Sequence, residues 1–409
     1  MSAFIKLLFT AFAQSITSFI FILIIMMVFV NIKRSARLEE SWLGFLRDTT
    51  RNQLLNVMLY GMIVGLIAST LIIVIGITID VNTILAVWPL ALLLMFFNQR
   101  YMCFSYAGGI VSLISLIFGW PHVDVSAIIA LVGVLHLMES LLILLDGHKG
   151  ALPVIMEHKR FNPIGAYVMN KLWPIPLVIL AIPSEVIRTA LGGINMPDWW
   201  PLFHGQAGVK SLVLIPLAAI LGYGDIAITH STKKRAKETG FWLGAYSLVI
   251  LILAIISSRI FWVKYIAAIT TPVLHELLIY LGKRGQLEGK PIYGAPWRGI
   301  RILDVFPESI GSKMDLKPGD IFMNLNGRGI NSEEMLSEAL SYSPSYIWVD
   351  VNRDGETKTL EYRDYQQGIK QLGILFVPRK TSRFFIMEEQ KSLITRLWKR
   401  IIKKKDIPL

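Results

Sequence analysis

The sequence predicts an α-helical polytopic membrane domain of about 8–9 spans, followed by a small α+β domain and a basic amphipathic C-terminal helix. Three observations carry this prediction. The 409 residues are 54% hydrophobic and 17% charged, with a mean hydropathy of +0.54, too apolar to hide inside one water-soluble core. Long apolar runs fall almost entirely before residue 282, and the remainder has an ordinary soluble balance. Strand and turn signals begin only after residue 289. The expected divisions are therefore 1–282 (membrane), 289–379 (α+β) and 380–409 (tail).

A membrane helix needs about 20 mostly apolar residues. That rule predicts spans at Phe9 to Val30, Leu54 to Ile79, Tyr101 to Phe118, Val125 to Leu145, Val209 to Ile228 and Phe241 to Ser258. Two runs are shorter: Val81 to Phe97, and Leu172 to Ile187, whose Pro174, Pro176 and Pro183 imply a kinked or partly re-entrant element. A weaker candidate, Tyr265 to Leu281, carries His275 and Glu276. Ile16 to Val30 is too long for a signal-peptide core and reads as an uncleaved first span.

Orientation follows from where Lys and Arg collect. The connectors Asn31 to Gln53 (Lys33, Arg34, Arg37, Arg47, Arg51), Asp146 to Lys171 and Thr229 to Gly240 (Lys233, Lys234, Arg235, Lys237) are expected on the cytoplasmic side. Arg188 to Ala207 is nearly free of cations, and its Trp199-Trp200 pair suits an interfacial anchor. Lys283 and Arg284 after the weak candidate favour a cytoplasmic C-terminal domain. These connectors account for the net charge of +12 without nucleic acid. The single cysteine, Cys103, excludes an intrachain disulfide and a cysteine-based zinc site, and reads as a packing residue.

From Gly299 the pattern runs strand, turn at Pro307 to Gly311, turn at Lys317-Pro318-Gly319-Asp320, and strand Ile321 to Leu325. The Asn326-Gly327 turn follows, then a helix capped by Asn331 or Ser332, and a hairpin around Asp354-Gly355. This order, with "FPESIGSKMDLKPGD" and "NG" in place, resembles the bacterial type of PDZ domain over about ninety residues. The resemblance implies an extended peptide added beside one strand. It further implies a carboxylate-binding loop Trp297-Arg298-Gly299-Ile300, a ligand-pairing strand that includes Arg301 and Ile302, and a pocket lined by Leu336 and Leu340. Arg298 departs from the apolar residue usual at its position.

The whole arrangement of many spans, basic inner loops and one terminal PDZ-like domain resembles the MinJ family of Gram-positive cell-division topological determinants. That resemblance implies a plasma-membrane scaffold at the septum and cell poles, bridging DivIVA to MinD and meeting other division proteins, with room for homo-oligomers. No cofactor is implied. Beyond the PDZ-like unit, Leu393, Leu397 and Trp398 share a helical stripe ringed by Lys391, Arg396, Lys399 and Arg400, a basic amphipathic helix suited to anionic lipid headgroups.

Two enzymatic or transport readings compete. A site-2 type intramembrane metalloprotease needs HExxH, but the chain offers His275-Glu276-Leu277-Leu278-Ile279, with Ile279 in the second ligand's place. Leu145-Asp146-Gly147 is similar to that family's third-ligand motif, yet it precedes the histidine. A PDZ-tethered transporter would rest on Glu139, Glu185 and the proline-rich run alone. The expectation is a scaffold with no catalytic or metal-binding residues.

Overall fold

The computed structural model describes residues 2–97, 99–158, 160–161, 163–181 and 212–379. Trp199-Trp200, Glu185 and the tail residues Lys391, Arg396, Trp398, Lys399 and Arg400 lie outside the described residues.

The N-terminal part is mainly helical: α1 (Ser2–Thr17), α2 (Phe19–Leu43), α3 (Thr50–Ile75), a short strand β1 (Thr78–Ile79), α4 (Val81–Phe97), α5 (Phe104–Phe118) and α6 (Val125–Asp146). Then come β2 (Leu152–Met156), β3 (Ile164–Ala181), β4 (Val213–Ala227), α7 (Thr232–Ser257) and α8 (Phe261–Glu288). Polar caps set many of these ends: Thr49 accepts from the Asn52 amide at the start of α3, and Gly76 closes that helix at φ +83°. Among the described residues five helices, α2, α3, α6, α7 and α8, are long and apolar enough to cross a membrane; α1, α4 and α5 contain shorter apolar helices. The Tyr265 to Leu281 candidate thus lies within a helix of spanning length.

Two predicted spans are corrected. Val209 to Ile228 and Leu172 to Ile187 do not form helices over their described residues; β3 and β4 pair antiparallel from Tyr167↔Ala227 to Ala181↔Val213. Proline explains the choice, because Pro174, Pro176 and Pro216 would each delete a helical hydrogen bond and clash with the preceding turn. The predicted span Phe9 to Val30 is likewise divided, since Ser18 turns extended and caps α2 through the Phe21 amide.

How a strand survives among apolar helices is visible at α3. A Cβ on Gly61 would sit 2.0 Å from the Pro174 carbonyl oxygen, and one on Gly65 2.2 Å from that of Pro176, so only glycine lets the backbones approach. One turn on, Ser69 Oγ accepts the Val178 N–H at 2.9 Å. Four residues of helix rise about 6 Å, close to two residues of strand at about 6.6 Å, so Gly61, Gly65 and Ser69 keep step with positions 174, 176 and 178. Prolines remove the donor at the first two, and serine satisfies it at the third. On β3, Trp173, Ile175, Leu177 and Ile179 join the main core with α3 and α6, while Val178 and Leu180 pack on Leu8 and Phe12 of α1.

The C-terminal part is sheet-rich: β5 (Tyr293–Gly294), β6 (Ile300–Val305), a short helix α9 (Ile310–Lys313), β7 (Ile321–Leu325), β8 (Arg328–Gly329), α10 (Glu333–Leu340), β9 (Tyr346–Arg353), β10 (Glu356–Arg363) and β11 (Ile374–Val377). Its sheet has the order β10-β9-β7-β6-β11, with β8 beside β7, while β5 pairs with β3. Ser332 caps α10 through the Met335 amide, and Arg353 holds the Asp320 carboxylate at 2.7 Å. Leu336, Leu340, Ile347, Val349, Val351 and Phe376 fill its core.

The two parts meet through specific contacts. Arg47, just after α2, reaches Asp304 of β6 at 3.1 Å, donates to the Ala151 carbonyl at 2.7 Å and pairs with Glu39. Phe45 stacks edge-on against Phe306 with centroids 4.6 Å apart. Within the helical part, the Gln286 side chain near the end of α8 accepts from the Ile228 and Thr229 amides, which holds the connector before α7 beside the point where the chain leaves for the sheet. The basic connectors after α2, after α6 and before α7 therefore gather at the end of the helices that holds the sheet.

Candidate functional site

The loop and strand predicted to receive a peptide are structurally occupied. Gly299 sits at φ +74°, and a Cβ there would lie 2.4 Å from the Phe322 carbonyl oxygen. Its N–H, expected to meet a ligand carboxylate, donates to Asn331 Oδ1 at 3.0 Å. The Trp297 and Gly299 carbonyls accept from Arg379 at 2.9 and 3.2 Å. Arg298 and the 92% exposed Trp297 project into solvent. Arg301 is spent on the carbonyls of Gly294 and Gly319, at 2.8 and 2.9 Å.

The strand itself is interior. Ile300 and Arg301 of β6 pair with β7, and the stretch from Arg301 to Val305 pairs with β11 on its other side. An added strand has no place beside β6, and this corrects the predicted ligand strand. Ile300, Ile302, Leu336 and Leu340 do come together, as walls of one closed core with Phe322 and Phe376. They pack the sheet against α10.

The hydrogen-bonded order instead ends at β11 and at β10. The chain enters β11 through Ile369, buried Leu372 and Gly373, the last at φ +67° with Ser309 Cβ 2.4 Å from where its own Cβ would be. The Leu372 and Gly373 carbonyls accept from the Gly311 and Phe306 amides at 2.7 and 3.0 Å, fixing the loop. Gln371-Leu372-Gly373-Ile374 is an apolar-glycine-apolar sequence leading into a short strand. That signal is present in the sequence, after the Asp354-Gly355 hairpin and 74 residues beyond the loop at Trp297 to Ile300.

Electrostatics concentrate where the sheet touches the helices. Burial pushes the Asp304 carboxyl above the usual carboxylate range, even though Arg47 pulls it the other way. On the far side, hydrogen bonds from Arg353 and Lys317 hold exposed Asp315 below that range.

The protease-like residues are used differently. On α8, Glu276 pairs with Arg100 and accepts from the Tyr106 hydroxyl at 2.6 Å. Asp146 accepts from Trp173 Nε1 at 3.0 Å and pairs with Lys171 and Lys149. Cys103 is more than packing: its Sγ faces His275, and also His136 of α6, a residue the sequence reading passed over.

No family model matches the chain. The sequence is similar to the cell division topological determinant MinJ of Bacillus subtilis (strain 168), at 25% identity over 264 residues. The alignment covers 63% of this chain and 62% of MinJ, so the chain spans less than two thirds of that relative. The likeness to a MinJ-type determinant thus rests on aligned sequence as well as on the order of spans and sheet.

Proposed function

We propose that the chain is a membrane-anchored adaptor in placing the cell-division site, and that it acts by binding protein segments rather than by catalysis. The reading joins a multi-pass anchor to a PDZ-like sheet of residues 289–379 on the cytoplasmic side. The observation that supports it most is the place of β11 at the edge of the sheet among the described residues, entered through the left-handed Gly373, at the same end of the helices as the basic connectors. Strand addition gains affinity from main-chain hydrogen bonds and specificity from alternate side chains. Basic connectors are retained in the cytoplasm, so a sheet that packs on Arg47 shares their compartment.

By likeness to MinJ, the candidate partners are MinD and DivIVA, the site of action is the septum and poles, and the tail of residues 380–409 adds contact with anionic lipid. The similarity to a cell division topological determinant supports this direction. The test is binding of purified MinD and DivIVA to the full chain in lipid nanodiscs. Saturable binding of either protein is expected; binding of neither, to protein shown to be folded, would refute the adaptor reading.

A further inference from the structure

We propose that Cys103, His136 and His275 form a binding site for a zinc ion in the apolar helical part. A lone cysteine excludes an all-thiolate site, but the fold adds two imidazoles from residues 33 and 172 positions away in sequence. Cys103 caps α5, His136 sits in α6 and His275 in α8. Their ligand atoms all lie within 4.8 Å of one another, with Sγ 3.1 Å from His136 Nε2 and 4.0 Å from His275 Nε2. Tetrahedral zinc, at about 2.3 Å from sulfur and 2.0–2.1 Å from nitrogen, spaces such atoms about 3.3–3.6 Å apart. The two Sγ–Nε2 separations reach that spacing with changes of about 0.5 Å, and the two imidazole nitrogens, within 4.8 Å of each other, close by up to about 1.5 Å as the rings turn onto the ion.

The proton inventory points the same way. His136 Nδ1 lies 2.8 Å from the Val132 carbonyl, which can only accept, so Nδ1 carries the hydrogen. Tyr106 gives its single hydroxyl hydrogen to Glu276, so its oxygen accepts from His275 Nδ1 at 3.3 Å. With Nδ1 carrying a hydrogen on each ring, both Nε2 atoms turn toward the same sulfur, where a single-hydrogen imidazole offers a lone pair. One S–H cannot satisfy two such acceptors, whereas one cation bound to a thiolate satisfies all three. Carbonyl and Tyr–Glu partners behind metal-bound histidines are also what orients them.

The two imidazoles are buried and closely packed. His136 and His275 are 2% and 8% exposed, their rings meet edge-on at 5.0 Å, and Tyr246 packs on both. The Ser105 amide donates to Sγ at 3.5 Å, favouring thiolate. Thiolate with imidazole suits zinc and not magnesium or calcium. The ion would clip α5, α6 and α8 together, and α8 leads directly into the sheet.

The test uses the full chain, purified without a histidine tag. Zinc at about one ion per chain is expected, and cobalt(II) replacing it should give a thiolate-to-cobalt charge-transfer band. Because the chain holds one cysteine, that band can arise only from Cys103. Cys103→Ser should abolish the band, and His136→Gln and His275→Gln should each weaken metal binding at least about tenfold. Saturating zinc should also protect Cys103 of the unaltered chain from alkylation, which needs no variant to fold. Absence of the cobalt band with unchanged alkylation would overturn the proposal, as would full zinc content in Cys103→Ser.

Discussion

Two β regions of this chain live in opposite surroundings. In the C-terminal sheet, β9 alternates strictly, with Ile347, Val349 and Val351 buried between more exposed neighbours. In the helical part, β3 is buried on both faces, and nine consecutive residues from Trp173 to Ala181 are closed from solvent. The first writes its conformation as a period of two; the second writes an unbroken apolar run that hydropathy takes for a span. What distinguishes them is the partner surface, since β3 is specified as much by Gly61, Gly65 and Ser69 of α3 as by its own residues.

The largest expected effect therefore comes from that seam. Gly65→Val would drive a side chain into the Pro176 carbonyl and should cost about 3 kcal/mol, lowering the thermal stability of the detergent-solubilised chain. A neutral outcome would mean that β3 does not lie on α3. Arg47→Ala tests how the two regions are joined: it leaves the buried Asp304 carboxylate without its cationic partner, at about 2 kcal/mol. Burial raises the folded-state value of Asp304, so the folded form takes up its proton more readily and the Arg47→Ala loss should shrink as pH falls through that value. Thermal melts of both chains across mildly acidic pH check the sign. Ser69→Ala is the finest probe, removing one acceptor from the Val178 amide at about 1 kcal/mol, with faster hydrogen exchange at that amide.

Legibility followed the same division. The helices from α3 to α6 were readable from length and apolarity alone, as was the order of elements from β6 to β10, because Asn326-Gly327 and Asp354-Gly355 are local turn signals. The β3–β4 pair was misread because Pro174 and Pro176 announce only that a helix fails; what replaces it depends on glycines about 110 residues earlier. The predicted ligand strand is interior for a related reason: whether β6 is an edge depends on β11, which begins 74 residues after it. His136 gave no signal at all, being one polar residue in an apolar helix until Cys103 and His275 are folded against it.

The central claim is that the sheet receives a protein segment along β11. Amide hydrogen exchange of the full chain in lipid nanodiscs, with and without bound MinD, tests it most directly. Slowed exchange confined to residues 372–378 is the predicted result; protection at residues 297–303 with none along β11 would contradict it.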